Sequence, residues 1–524
     1  MVNALALRPE ETPMIRTGWT IALPDEAATE RLARMIAGEV RPGDLVTLSG
    51  GLGAGKTTFA RALIRILAGE PSLDVPSPTF TLMQVYETGR GAVVHADFYR
   101  IGGGAELVEL GWEEATENAI TLAEWPERAD VALRRDRLSI AFDLADGGGR
   151  TATLNGHGTM QARIERLEAF SALVERAGWA EAARVPIQGD ASTRAYERLT
   201  KPSGATAILM ISPPRPDGPP VRRGKPYSAI AKLAENVHAF VAMDRGLRAL
   251  GLSAPRIFGE DLDAGLLLLE DLGTECCHTP DGPIPERYAE ATRLLAGLHA
   301  TTLPEVLPVT HAREHALPAY DLDAFLIEAE LLADWYVPHV VGSYLSGSAR
   351  AEFVTLWSEV LAEIVAGPVT WTLRDYHSPN LLWLEDREGT ARVGLLDFQD
   401  AVLGPPAYDV ASLLQDARIT VEPDLELRLV SLYARERKAA DAAFDVAAFA
   451  RAYAIMGAHR ATKVLGIFAR LDKRDGKPQY LRHLPRIEAY LARNLAHPVL
   501  SKLKSWYQTH VPRLAPVAEG ILSD

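Results

Sequence analysis

The octet GGLGAGKT, residues 50–57, constrains this chain more than any other stretch. It matches G-x-x-x-x-G-K-[ST] in full, and such a loop works in one setting only, with a strand before it and a helix after it. Both are readable. Residues 45–48 are a short apolar run of strand type, and residues 57–67 set Phe59, Leu63, Ile66 and Leu67 on one helical side. Gly50, Gly53 and Gly55 let backbone N–H groups turn toward phosphate oxygens. Lys56 reaches the β- and γ-phosphates, the Thr57 hydroxyl suits Mg²⁺, and Thr58 belongs to the same nucleotide-binding set at the positive end of the helix. The octet predicts an α/β domain that binds a nucleoside triphosphate with Mg²⁺.

Three further stretches fit around that loop. SPTFTL (77–82) puts Thr79 at the head of an expected strand, HADFYR (95–100) puts Asp97 at the end of one, and AEWPER (123–128) puts Glu124 and Trp125 at the end of another. Strand-like runs at 80–86 and 92–96 alternate with helical patterns, as in an α/β domain. Carboxylates at strand ends beside a phosphate loop suit metal or water positioning. Taken singly, each has a plain alternative: a capping Asp, a solvated Glu, a core Trp.

A second phosphoryl-transfer pattern lies far downstream. LRDYHSPNLLW (373–383) contains R-D-x-x-x-x-N, with Asp375 placed to accept the proton of an attacking hydroxyl and Asn380 to bind a metal. GLLDFQDA (394–401) puts Asp397 after an apolar strand, where a second metal-binding carboxylate belongs. His377 reads as support for the loop, Asp409 as an acceptor that stabilises it, and Asp400 as a surface or supporting group. Upstream, QGDASTRAYERL (188–199) stands where a glycine-rich loop is expected, with Ser192 and Thr193 as phosphate donors beside Gly189. The strand at 206–212 carries Met210 where a kinase normally has its phosphate-binding Lys. Arg194, Arg198, Arg222, Arg223 and Lys225 are all candidates to replace that charge, and spacing does not choose among them. LLLLEDLG (266–273) reads as a strand running into a hinge, where backbone groups from Glu270 to Leu272 meet the adenine.

With 524 residues there is room for more than one core. The glycine-rich run at 144–160 reads as a turn or linker, and the boundary is placed near residue 157, because a new helical spacing starts at Ile164, Leu167 and Phe170. The expected division is a flexible stretch 1–16, a phosphate-loop domain 17–157, a kinase-like domain 158–512 and a tail 513–524. Within the kinase-like part a small β-rich lobe covers about 185–275 and a helical lobe about 276–512. The formal net charge of −14 argues against bulk affinity for nucleic acid or anionic membrane. The two cysteines, Cys276 and Cys277, are adjacent, so no disulfide framework or cysteine metal site is expected. No signal-like segment or 18-residue apolar run is present, and a cytoplasmic protein is the expectation.

As sets, these motifs carry two resemblances. GGLGAGKTT, SPTFTL, HADFYR, ELVELGW and AEWPER resemble the TsaE family of small bacterial ATPases. The resemblance implies ATP and Mg²⁺ at Lys56 and Thr57, supporting or catalytic roles for Thr79, Asp97, Glu124 and Trp125, and a part in threonylcarbamoylation of tRNA adenosine with TsaB/TsaD-like subunits as partners. Gly51 departs from that family, which commonly has Asp there. RDYHSPNLLW, LLDFQDA, GPPAYDVASLLQDAR and LLLLEDLG resemble the aminoglycoside phosphotransferase superfamily. GDASTRAYERL, the Met210 strand and the stretch 463–487 are similar, more narrowly, to the anomeric kinases of N-acetylmuramate and N-acetylglucosamine. The implied fold class is an α/β P-loop NTPase domain followed by a bilobal α+β, protein-kinase-like phosphotransferase domain. The implied activity is ATP-dependent transfer to the C1 hydroxyl of an amino sugar in cell-wall recycling. Three other readings stay open at this point: a kinase for an aminoglycoside- or choline-like alcohol, a first domain that is a nucleotide-gated binding module, and an inert kinase lobe.

Overall fold

The structure, a computed structural model, describes residues 18–102, 105–129, 136–145, 148–187, 194–214 and 218–514. The chain divides into two compact units between Glu175 and Arg176. The first unit's strands are β1 (Trp19–Leu23), β2 (Leu45–Gly50), β3 (Met83–Thr88), β4 (Gly91–Asp97), β5 (Ile120–Glu124), β6 (Arg137–Leu144) and β7 (Arg150–His157). They form one sheet in the order β1-β7-β6-β2-β5-β4-β3. The first four residues of β2 and all five of β5 are buried, which is how strands read when a parallel sheet is covered on both faces. β2 pairs in parallel with β5 and β6, and β5 with β4, so the carboxyl ends of β2, β4 and β5 lie side by side.

Helices α1 (Glu26–Glu39) and α2 (Lys56–Ala68) pack on each other. Asp25 caps α1 by accepting from the Ala28 N–H at 2.7 Å, and Leu32, Ala33 and Ile36 form its buried side. No side chain caps α2; it starts from Gly55 in a left-handed conformation. Gly50 is required where β2 passes into the loop. Its φ is +128°, and a Cβ there would meet the Phe142 carbonyl oxygen at 2.1 Å.

Three sequence expectations change here. The expected strand at 80–86 begins at Met83, so Thr79 and Phe80 lie in the turn before it, and Leu82 has φ 63°, which strand geometry does not allow. The glycine-rich run is a hairpin turn rather than a linker. Ala145 donates to the Gly149 carbonyl at 2.9 Å, and the residues after it form β7, paired along its length with β6. β7 buries Ala152 and Leu154, an alternation of period two that the glycine count had obscured. The helix Thr159–Arg176, expected to open the second domain, falls almost wholly in the first unit. The Arg163 guanidinium holds both carboxylate oxygens of Asp44 there, each at 2.7 Å.

The second unit opens with β8 (Ala183–Ile187), β9 (Ala195–Thr200) and β10 (Thr206–Ile211), which join the strands Ile257–Asp261 and Leu266–Glu270 in a five-stranded sheet. Every pairing in it is antiparallel. Met210 is buried in this sheet, with Tyr196 and Leu267 as its cross-strand partners. From Pro285 onward helices dominate. The longest, Val446–Asp475, is capped by the Asp445 carboxylate, which accepts from Ala447 and Ala448 N–H, and it ends at left-handed Gly476. Among the described residues no helix is long and apolar enough to cross a membrane.

Two candidate phosphoryl-transfer sites

In the first unit the parallel register does the assembling. Asp97 is the partner of Glu124 across β4 and β5, and Leu48 is the partner of Glu124 across β2 and β5. Crevices at the carboxyl ends of parallel strands are where such sheets bind ligands. The Lys56 ammonium donates to the Gly50 and Gly51 carbonyls at 2.8 and 2.9 Å and lies 3.7 Å from the centre of the Trp125 ring. Burial lowers its pKa, against the opposing charges of Glu124, Glu127 and Asp97. The Thr57 hydroxyl donates to Glu124 Oε2 at 2.8 Å. The Thr79 hydroxyl donates to Asp97 Oδ2 at 2.6 Å, joined by Ser77 at 3.2 Å. Trp125 holds φ 56°, which turns its ring back over the loop and onto Tyr99. Lys56, Thr57, Thr79, Asp97, Glu124 and Trp125 are therefore brought together, at the start of a helix whose amides no side chain caps. Gly53 and Gly55 hold positive φ in the loop, and Thr58 is half-buried in the first turn of α2.

The second site is built on a short hairpin. Strands Leu381–Trp383 and Val393–Leu395 pair antiparallel, and Leu396 N–H donates to the Asn380 carbonyl at 3.0 Å. Asn380, just before one strand, and Asp397, two residues past the other, thus arrive at one end. The Asn380 side-chain amide donates to the Asp375 backbone carbonyl at 3.0 Å, which ties the two residues together and leaves the Asn380 side-chain oxygen, Oδ1, free of described donors. Asp397 Oδ1 accepts from Arg194 and from Gln399, both at 2.8 Å. Free oxygens from an amide and a carboxylate suit a hard divalent cation that keeps most of its shell for phosphate and water. Arg374 and Asp397 both hold left-handed backbone, φ 66° and 58°, uncommon for non-glycine residues and common at such sites.

The loop that carries Asp375 is heavily tied down. Asp409 accepts from the Leu373 and Arg374 N–H groups at 2.6 and 2.9 Å, and His377 Nδ1 lies 2.9 Å from the Asp375 carbonyl. The Arg374 guanidinium pairs with Glu328, which also binds Lys463 at 2.8 Å and the Tyr320 hydroxyl at 2.5 Å. Burial alone would raise the Glu328 pKa; Lys463, Arg374 and His459 outweigh it and hold it at about 2. The Asp375 carboxylate itself takes no hydrogen bond from a described residue. Burial pushes its pKa up, but His377, Lys463, Arg374 and Arg460 bring it below the ordinary value, so it is ionised near neutrality. An ionised, uncommitted carboxylate on a fixed loop can accept a hydroxyl proton.

Other sequence expectations land as follows. Of the five cations considered for the place of the missing Lys, Arg194 is the one on Asp397. Arg198 pairs with Asp271, Arg222 with Glu330, Arg223 with Asp323, and Lys225 is exposed. Ser192 and Thr193 lie outside the described residues. At the hinge the Glu270 side chain is held by Arg387 at 2.9 Å and by Arg256 N–H at 3.0 Å, while Leu272 is buried. Sequence reasoning missed His95, whose Nε2 is 2.9 Å from Glu124 Oε1 with both groups buried. Its signal was its place two residues before Asp97 on one strand, hence on the same face. Glu328 and Lys463 were also missed: they lie 46 positions before Arg374 and 88 after Asp375, and the fold rather than a motif brings them there.

Comparison with known proteins decides the class. The family of the threonylcarbamoyl adenosine biosynthesis protein TsaE matches residues 23–152, and the phosphotransferase enzyme family matches residues 184–445, half of the chain. The chain belongs to both families. The N-acetylmuramate/N-acetylglucosamine kinase of Caulobacter vibrioides is 39% identical over 368 residues, covering 67% of this chain and 99% of that protein. The kinase of the same name from Pseudomonas aeruginosa is 32% identical over 337 residues, covering 62% and 89%. The tRNA threonylcarbamoyladenosine biosynthesis protein TsaE of Rickettsia felis is 34% identical over 149 residues, covering 28% and 86%. The second unit is accordingly an ATP-dependent phosphotransferase, and the first is a TsaE-family ATPase unit.

Proposed function

We propose that the second unit phosphorylates the anomeric hydroxyl of N-acetylmuramate or N-acetylglucosamine, with ATP as donor, in cell-wall sugar recycling. The observation that carries this reading is the uncommitted, ionised Asp375 carboxylate, together with a kinase relative of that name that this chain covers almost end to end. Asp375 accepts the C1 hydroxyl proton as O1 attacks the γ-phosphorus in line. Mg²⁺, held by Asn380 and Asp397, supplies neutralisation of the phosphate charge. Arg194 takes the electrostatic part that Met210 cannot. Ser192 and Thr193 contact the phosphates, and backbone groups from Glu270 to Leu272 meet the adenine. Most of the rate comes from positioning and electrostatics, since no covalent enzyme intermediate is needed. The test is a kinase assay over N-acetylmuramate, N-acetylglucosamine, an aminoglycoside and choline, with the product's phosphorus position read by NMR. A sugar 1-phosphate is expected. Turnover of the aminoglycoside or choline in preference to both sugars sinks the reading.

For the first unit we propose a cytoplasmic ATPase that supports N6-threonylcarbamoyladenosine formation in tRNA by engaging TsaB/TsaD-like subunits. ATP and Mg²⁺ sit at Gly50, Gly53, Gly55, Lys56, Thr57 and Thr58, with Thr79 as a further metal contact, Trp125 against the nucleotide, and Asp97 and Glu124 as the catalytic carboxylates. Leu52 at the loop tip and Phe80 beside Thr79 are exposed, which suits a site that a partner covers. The full chain should capture purified TsaB/TsaD-like subunits in a nucleotide-dependent manner; no capture in the ATP, ADP or nucleotide-free state would remove the assignment.

A further inference from the structure

Arg460, on the helix Val446–Asp475, is 7% exposed, yet its guanidinium makes no hydrogen bond or ion pair with any described residue. The cations around it are all engaged. Lys463 holds Glu328 and the Tyr408 hydroxyl, Arg486 holds Thr420 and the Ala417 carbonyl, and Arg493 holds Glu426. None of its nitrogens is sealed from solvent, so the guanidinium stays open to a ligand. Arg460 also lines a small, partly enclosed cavity with Gln415, Gly457, Val464, Ile487 and Tyr490, whose open space is about 10 Å³, room for one water-sized group. Gly457, one turn before Arg460, keeps that wall thin: a Cβ there would meet Gln415 Oε1 at 2.6 Å. The charge of Arg460 also acts on Asp375 and on His377. Arg460 therefore lines this cavity and is near enough to the base for its charge to act there.

A planar fork of donors matches a carboxylate bidentately. Of the two sugars proposed as acceptors, one carries a carboxylate on its lactyl ether and the other has a hydroxyl in its place. We propose that Arg460 is a specificity-determining residue of the acceptor site, receiving the carboxylate of an acidic amino sugar while its anomeric hydroxyl faces Asp375. This rests on the sugar-kinase reading above. The neutral sugar leaves Arg460 to water alone, so the residue sets the preference between the two.

The experiment uses the full chain and the variants Arg460→Met and Arg460→Lys. Initial rates are measured with N-acetylmuramate and with N-acetylglucosamine, and melting temperature is measured with and without each sugar. The ratio of kcat/KM for the acidic over the neutral sugar should fall at least ten-fold in Arg460→Met and less in Arg460→Lys. The melting shift caused by N-acetylmuramate should vanish in Arg460→Met. Without sugar, Arg460→Met should melt no lower than wild type, because the charge it removes has no partner among the described residues; a structural role predicts a drop instead. An unchanged ratio, or equal losses with both sugars, overturns the proposal, and if the Met variant does not fold, the Lys variant's ratio decides by the same criterion. A wild-type chain that phosphorylates neither sugar overturns the sugar-kinase reading and this inference together. A wild type active on both sugars, with the ratio unmoved by substitution, overturns this inference alone.

Discussion

Asp244 shows how far a single group can pull against its surroundings. It is 1% exposed on the helix His238–Ala249, and its Oδ1 has no hydrogen-bond partner. Burial raises its pKa from 3.8 to about 7, against the attraction of Arg248 and Arg245. Between pH about 4 and 7 the folded chain therefore holds a proton that the unfolded chain has released, and the contribution of Asp244 to stability falls as pH rises through that window. Asp244→Asn removes the dependence. Its gain over wild type should grow from pH 4 to 7 and level off above, reaching at most about 4 kcal/mol at ~1.4 kcal/mol per pKa unit. Urea unfolding of both proteins at pH 5, 6, 7 and 8 checks this; a difference independent of pH contradicts it. At this same scale, Asp375, Asn380 and Asp397 were legible because their chemistry fixes both residue type and order. Arg194 was legible only as one of five, since its partner Asp397 is 203 positions away and no spacing rule reaches that far. Arg460 carried no signal at all, because what marks it is a missing partner.

Among elements, legibility followed the strength of local periodicity. The strand and helix that flank GGLGAGKT were readable because β2 is a buried apolar run and α2 has a clear apolar side. The stretch 144–160 was ambiguous because glycine marks both linkers and tight hairpins, and only pairing tells them apart. β7 gains its stability from registry with β6 on one side and β1 on the other, a property of three segments at once. The helix Thr159–Arg176 was readable as a helix, but not which unit it joins, since its apolar side, Met160 to Val174, suits any apolar surface. In the second unit the hairpin Leu381–Trp383/Val393–Leu395 matters more than its length suggests. Its register alone brings Asn380 and Asp397 to one end, so a change that slips it by a residue would separate them.

At the scale of the whole molecule, two families sit in one chain, and the described partners of each candidate site come from its own unit. Lys56 is held by Gly50, Gly51 and Trp125, and its carboxylate neighbours lie on β4 and β5. Asp375 is held by Asp409, Asn380 and the Glu328 ion network, all from the second unit. Each of these described contacts lies inside one unit. The central claim is thus of two separate phosphoryl-transfer sites. It is tested most directly by measuring ATP hydrolysis without sugar and sugar phosphorylation, side by side, in wild type, Lys56→Ala and Asp375→Asn. Lys56→Ala should silence the hydrolysis and leave sugar phosphorylation within about two-fold of wild type. Asp375→Asn should lower sugar phosphorylation by about 10²- to 10⁴-fold, the usual worth of a general base, and leave the hydrolysis in place. Loss of sugar phosphorylation in Lys56→Ala would contradict the account.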